Sequence, residues 1–277
     1  MQCTSPYTGG NTPTYDGIRG VGCGRCMACR INQTSEWTMR LQHELKYFED
    51  SSFITLTYSE DFLPENAELS KRDLQLFIKR FRKFVGSKVK IKYFACGEYG
   101  DNYLRPHYHL IVLGWKPRFL RYVSNDGKRK IYSSPEVADV WKCGHNTVGV
   151  VNHDSIQYVV GYVRKKLNGE KANEFYGKRQ RPFSLISKGI GERYAQENAD
   201  KLNEDLAVIE KGITKTLPRY YAKKANISDI RRQANALKAF VKSCEDYESS
   251  NGMTLVDQLN QIDKNLIAKN NLRRDKL

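Results

Sequence analysis

Apolar positions change period several times along the chain. Over 31–50, INQTSEWTMRLQHELKYFED, residues Trp37, Leu41, Leu45 and Phe48 recur at helical spacing. FITLTY (53–58) is a β-branched and aromatic run that predicts a buried strand. Ser70 is placed to cap a helix, DLQLFIKRFRKFV, with Leu74, Phe77, Phe81 and Phe84 on its apolar side. VKIKYFACGE (89–98) and HYHLIVLG (107–114) predict two further strands joined by the turn-rich YGDNYLRP. Residues 115–134 form a basic excursion expected to be exposed. PEVADVW predicts a short helix, NTVGVV (146–151) a short strand and SIQYVVGYVRKKL (155–167) a helix. Past Gly169 the pattern is mostly helical and strongly charged, with long polar helices from 228 onward.

Irregular alternation of strands and helices over 50–167, without internal repeats, predicts an α+β domain built on one sheet. Three segments follow: a Cys-rich stretch over 1–30, a core over 31–170 and a mainly helical basic extension over 171–277.

With 40% apolar residues in 277, the chain can bury a core. Its net charge of +15 suits a polyanion, nucleic acid before an acidic membrane surface. A basic protein with neither partner is the plain alternative. No run approaches the ~18 apolar residues of a membrane span, and MQCTSPYTGG has no apolar signal segment, so a cytosolic location is expected. Seven cysteines, an odd number, fit reduced thiols or metal ligands better than a secreted disulfide framework.

His107 and His109 are two of only five histidines. On a strand they share a face about 7 Å apart, close enough to converge on one divalent cation. Two histidines satisfied by hydrogen bonds on a half-exposed strand read equally well from this pair alone. Glu98 closes the preceding strand, and hairpin pairing would bring it near His109 or His107. One carboxylate and two imidazoles suit Mg²⁺ or Mn²⁺ better than a structural zinc. Taken alone, Glu98 also reads as a solvated strand-end charge.

On the helix after 155, with Tyr158 at zero, Tyr162 falls near about 40° and Lys165 near about −20°. Ile156, Val160, Val163 and Leu167 cluster at roughly 140–200°, which sets the tyrosines opposite the apolar stripe on an outward face with the lysines. Such tyrosines can be nucleophiles toward phosphorus, with Lys165 or Lys166 adding positive charge, or they can stack on bases or pack beneath the tail. Cys23, Cys26 and Cys29 fall at intervals of three, with Cys3 a fourth thiol. Four thiolates can hold a structural Zn²⁺; reduced thiols in a turn are the alternative.

The order FITLTY, then HYH with an upstream Glu, then a YxxxY helix with lysines resembles the HUH superfamily of single-strand endonucleases. CGRCMACR, GEYGDNYLRPHYHLIVLG, YVVGYVRKK, the RPF…KGIG run and LPRYY are similar to the replication initiation proteins of gokushovirus-type microviruses, and together they span 3–221. The resemblance implies an HUH-type domain: a central antiparallel sheet flanked by helices, with a helical C-terminal extension. It implies that Glu98, His107 and His109 hold Mg²⁺ or Mn²⁺, and that Tyr158 and Tyr162 are paired nucleophiles. Tyr162 has the VxxYxxK surroundings of single-tyrosine initiators and is expected to act first. Tyr108 departs from the smaller hydrophobe usual between the histidines; pointing away from the metal, it is expected to be tolerated. The implied activity is nicking and joining of single-stranded origin DNA through a 5′-phosphotyrosine, for rolling-circle replication with host helicase and polymerase in the bacterial cytoplasm. Arg105, Arg164, Lys165 and Lys166 are the expected backbone-binding cations, and Trp115, Tyr122 and Tyr132 are candidates for base stacking. A transposase or plasmid initiator of the same superfamily, and a non-enzymatic zinc-stabilised nucleic-acid binder, are the competing readings.

Overall fold

The computed structural model describes all residues except 1–2, 5–13, 16–17, 20–21, 101–102, 126–129, 166–169, 211 and 275–277. In chain order the strands are β1 (Thr14–Tyr15), β2 (Ile18–Arg19), β3 (Ser51–Tyr58), β4 (Lys92–Tyr99), β5 (Pro106–Leu113), β6 (Arg121–Asn125), β7 (Lys130–Ser133), β8 (Gly144–Gly149), β9 (Phe183–Ile186), β10 (Ala207–Glu210) and β11 (Ile213–Thr216). The helices are α1 (Met27–Leu45), α2 (Lys71–Val85), α3 (Pro135–Trp141), α4 (His153–Lys165), α5 (Glu170–Tyr176), α6 (Glu192–Glu197), α7 (Ala199–Asp205), α8 (Arg219–Lys224), α9 (Asp229–Asn251) and α10 (Leu255–Arg274). The α+β class is as expected, and two compact units form: 37–190, and 1–36 with 191–277.

The 37–190 unit holds a seven-stranded antiparallel sheet ordered β6-β7-β8-β3-β5-β4-β9. Its central strands alternate faces, and each face carries its own core. One face buries Ile54, Leu56, Tyr108, Leu110 and Val112 against Leu74, Phe77 and Phe81 of α2 and Val137, Val140 and Trp141 of α3. Ser70 caps α2, its hydroxyl accepting from Asp73 N–H at 3.1 Å, as the sequence implied. The opposite face buries Phe94, Cys96, Ile111 and Leu113 against Leu41 of α1 and Ile156, Val159 and Val160 of α4.

Three features differ from the sequence expectation. The 115–134 excursion is exposed in part, but β6 and β7 fold as a hairpin that extends the sheet. Tyr122 and Tyr132 meet across it with ring centroids 6.1 Å apart, while Trp115 packs edge-on to Phe81 at 4.8 Å. The core continues past 170, because Phe183–Ile186 pairs with Phe94–Gly97 as an edge strand. A four-residue strand on a sheet edge leaves almost no periodic signal.

The other unit contains α6 to α10, the β10–β11 hairpin, the β1–β2 pair and the segment leading into α1. The charged tail is largely helical, as expected, although β10 and β11 interrupt it. Tyr221 of the LPRYY run is fully buried and stacks near Tyr194 at 5.6 Å.

Candidate functional site

Register fixes the site. β4 and β5 pair so that Glu98 lies opposite His107 and Cys96 opposite His109. On the other side of β5, Thr57 lies opposite His107 and Thr55 opposite His109. With a side-chain period of two, Thr55, Thr57, Glu98, His107 and His109 share one sheet face, and α4 packs over β4 and β5 on that face.

The two imidazole centroids are 6.4 Å apart. His109 Nε2 lies 3.0 Å from Glu98 Oε1, and both side chains are almost wholly buried. The other ring nitrogen, Nδ1, lies 3.0 Å from Thr55 Oγ1. A hydroxyl both donates and accepts, so Thr55 can support either imidazole tautomer. His107 is held below the usual histidine pKa by burial and by neighbouring His109, so its ring stays neutral and ready to act as a donor atom.

Tyr162 stacks face to face on His109, with centroids 5.1 Å apart and planes 2° from parallel. Tyr158 meets the same imidazole edge-on at 5.2 Å and Tyr162 at 5.1 Å. The tyrosines therefore do not share the outward face that helical angles suggested. Val159 joins Ile156 and Val160 in the buried arc, widening it until Tyr162, 5% exposed, lies at its edge over the histidines. Tyr158 is one turn away and 42% exposed. Burial pushes the Tyr162 phenol above its usual range; the Glu98 charge and hydrogen bonds with Tyr158 and Glu98 act in the same direction.

Whether these groups suit a divalent cation can be tested on the donors themselves. Glu98, His107 and His109 make a mixed oxygen and nitrogen set of the kind that Mg²⁺ and Mn²⁺ accept. His107 Nδ1 is buried with no hydrogen-bond partner. Leaving such a nitrogen unsatisfied costs roughly 1–3 kcal/mol, so it asks for a ligand. The Nε2 edge of that ring is cradled by Gly100, where a Cβ would lie 2.9 Å from Nε2. The residues fit.

Sequence reasoning missed Thr55, Gly100 and Phe53. Phe53 stacks on His109 at 6.0 Å and meets Tyr158 edge-on at 6.1 Å. The alternation in FITLTY places Phe53 and Thr55 on one face, but only the register sets that face beside His109. Tyr108 points away from the site, as expected, yet it is fully buried and bonded. Its hydroxyl lies 2.8 Å from that of Tyr58, accepts from Ser70 N–H at 2.8 Å and donates to the Ser70 carbonyl at 3.1 Å.

Arg105 is committed locally, with Nη1 2.6 Å from Glu60 Oε1 and Nη2 donating to the Tyr58 carbonyl at 2.7 Å. The side chains of Arg164 and Lys165, and all of Lys166, lie outside the described residues. Cys3, Cys23, Cys26 and Cys29 come together in the other unit. Among the described residues, no helix is long and apolar enough to cross a membrane.

A family model of replication-associated proteins of the ORF2 type matches residues 51–167, a span that contains Thr55, Glu98, both histidines and both tyrosines. Replication-associated protein VP4 of Bdellovibrio phage phiMH2K is 31% identical over 211 residues, covering 72% of this chain and 65% of that protein. Replication-associated protein ORF2 of Spiroplasma virus 4 is 30% identical over 235 residues, covering 78% of this chain and 72% of the relative. Replication-associated protein ORF4 of Chlamydia phage 1 is 28% identical over 207 residues, covering 72% of this chain and 52% of the relative. The chain thus spans just under two thirds of the first relative and about half of the third. No solved structure matches it. The paired histidine strand, the tyrosine helix laid over it and these relatives together place the chain in one family: it belongs to the replication-associated proteins of microvirus-like phages.

Proposed function

We propose that the protein initiates rolling-circle replication by nicking and rejoining single-stranded origin DNA, as an HUH endonuclease of the two-tyrosine type. The observation that carries this reading is the meeting of Tyr158 and Tyr162 with His109 and Glu98, beside the unpartnered His107 Nδ1. Glu98, His107 and His109 would hold Mg²⁺ or Mn²⁺, which when bound polarises the scissile phosphate and offsets its charge.

The chain's own groups do the rest. Tyr162 shares a hydrogen bond with Glu98, and the phenol proton passes to that carboxylate. The phenolate oxygen attacks phosphorus, the bond to the 3′ oxygen breaks, and that oxygen leaves with a proton from water as a 3′-OH. The 5′-phosphate stays on tyrosine as a diester, so the exchange is reversible and the same chemistry rejoins ends. Tyr158, one turn away and solvent-facing, serves the second cut after a round of synthesis. Stacking on His109 holds both rings over the histidine pair.

Single-stranded origin DNA is the substrate, the +15 charge draws it to the protein, and host helicase and polymerase extend the primer in the host cytoplasm. Relatives named as phage replication proteins favour this over a transposase or plasmid initiator. The test is incubation with circular phage single-stranded DNA and Mn²⁺ or Mg²⁺, resolved on a denaturing gel. Wild type should form a metal-dependent protein–DNA adduct that the Tyr158→Phe/Tyr162→Phe double variant and His107→Ala both lose. Tight binding by every variant with no adduct would leave a nucleic-acid binder that does no chemistry.

A further inference from the structure

The unit formed by 1–36 and 191–277 holds a cluster that the proposed chemistry leaves unused. Cys3, Cys23, Cys26 and Cys29 bring their four Sγ atoms within 4.8 Å of one another. All four are free thiols, and Cys3 Sγ and Cys26 Sγ stand 3.7 Å apart. A disulfide needs about 2.05 Å, so these are neighbours without a bond. Four sulfurs at the corners of a tetrahedron, each about 2.3 Å from a central zinc, lie about 3.8 Å from each other. An iron–sulfur cluster hangs each thiolate on a different iron and spreads its sulfurs wider than one shared ion does.

The backbone is shaped around these sulfurs. Cys23 N–H donates to Cys3 Sγ at 3.2 Å, while the N–H groups of Arg25 and Cys26 donate to Cys23 Sγ at 3.4 and 3.3 Å. Such donors stabilise thiolates over thiols. Gly22 admits Cys29, since a Cβ there would lie 2.9 Å from its Sγ. Gly24 takes φ +72°, a conformation that lets the chain turn between Cys23 and Cys26. Cys26 directly precedes α1, Cys29 lies in its first turn, and that turn has no acidic residue. Thiolates there supply the negative charge that a helix N-terminus favours.

We propose that Cys3, Cys23, Cys26 and Cys29 bind one Zn²⁺ as a closed tetrahedral site that ties the N-terminal segment to the start of α1. Four thiols give up four protons, four Zn–S bonds form, and no electron moves. Soft thiolates select Zn²⁺ over the Mg²⁺ or Mn²⁺ suited to the histidine strand. With every ligand position filled by protein, the site is structural. It stands apart from the nicking chemistry and does not depend on it.

The test is metal analysis of the untagged full chain, purified without chelator and measured by plasma emission. Wild type, His107→Ala and Cys143→Ser should each carry about one zinc per chain, and Cys23→Ser and Cys26→Ser none. Because a ligand variant can simply misfold, wild type is also titrated with an organomercurial, which should free one zinc for every four thiols modified. Refolding with Co²⁺ should give the charge-transfer absorption of a tetrathiolate site. Wild type without zinc that also refuses Co²⁺ would overturn the proposal. So would iron with acid-labile sulfide, a Cys3–Cys26 disulfide in the peptide map, or zinc that follows His107 instead of the cysteines.

Discussion

Replacing Gly100 with alanine tests whether His107 is a working donor without touching a donor atom. The added Cβ would lie 2.9 Å from His107 Nε2 and 3.1 Å from its Cδ2, while ordinary contact begins near 3.4 Å. The ring must therefore retreat by roughly half an ångström, and metal–ligand distances tolerate only about ±0.2 Å. Gly100 does not need a left-handed backbone, and its N–H bond to the Arg105 carbonyl at 2.9 Å uses main chain alone. Folding should therefore stay close to wild type, within about 1 kcal/mol. Displacing a group that orients a ligand typically costs ~10–100-fold in metal affinity. The assay is adduct formation on single-stranded origin DNA at fixed enzyme across a Mn²⁺ series. Gly100→Ala should need ~10–100-fold more Mn²⁺ for half-maximal nicking and recover most of its rate at saturation. A variant with an unchanged melting temperature and an unchanged Mn²⁺ midpoint would refute the placement of His107 at the metal.

Further outcomes follow from the same geometry. Thr55→Val removes the hydroxyl 3.0 Å from His109 Nδ1 and should also raise the Mn²⁺ midpoint by ~10–100-fold; an unchanged midpoint would show that this hydroxyl does not orient the ring. Tyr108→Phe strands Ser70 N–H and the Tyr58 hydroxyl on the far face, so it should cost about 1–3 kcal/mol by urea unfolding and spare nicking. An unaltered urea midpoint would mean the buried hydroxyl contributes nothing. Burial pushes the Tyr108 phenol from 10.0 up to about 12, so the fold favours its protonated form. That contribution is full below pH about 10, the unfolded value, and is lost as pH rises toward 12. Thermal midpoints measured from pH 8 upward should fall beyond pH 10, less steeply in Tyr108→Phe; equal slopes would count against it.

Much of this protein was legible in its residues. FITLTY and HYHLIVLG declared themselves as strands because β-branched and aromatic side chains fill a pleated surface buried on both sides. The period of two put His107 and His109 on one face before any partner was known, and the turn between 98 and 107 brought Glu98 back toward them. The HxH, YxxxY and cysteine spacings are local, so the sequence states them in full. Tertiary structure decided what depends on neighbours distant in the chain. The register of β3 against β5 made Thr55 the partner of His109. The seating of α4 on β4 and β5 turned Tyr162 inward, because helical angles give relative directions and packing alone sets which arc is covered. Strand β9 exists because β4 offers it an edge, and its four residues carry no signal of their own. The cysteines announced their spacing from the start, but only the fold brought Cys3 across to the other three.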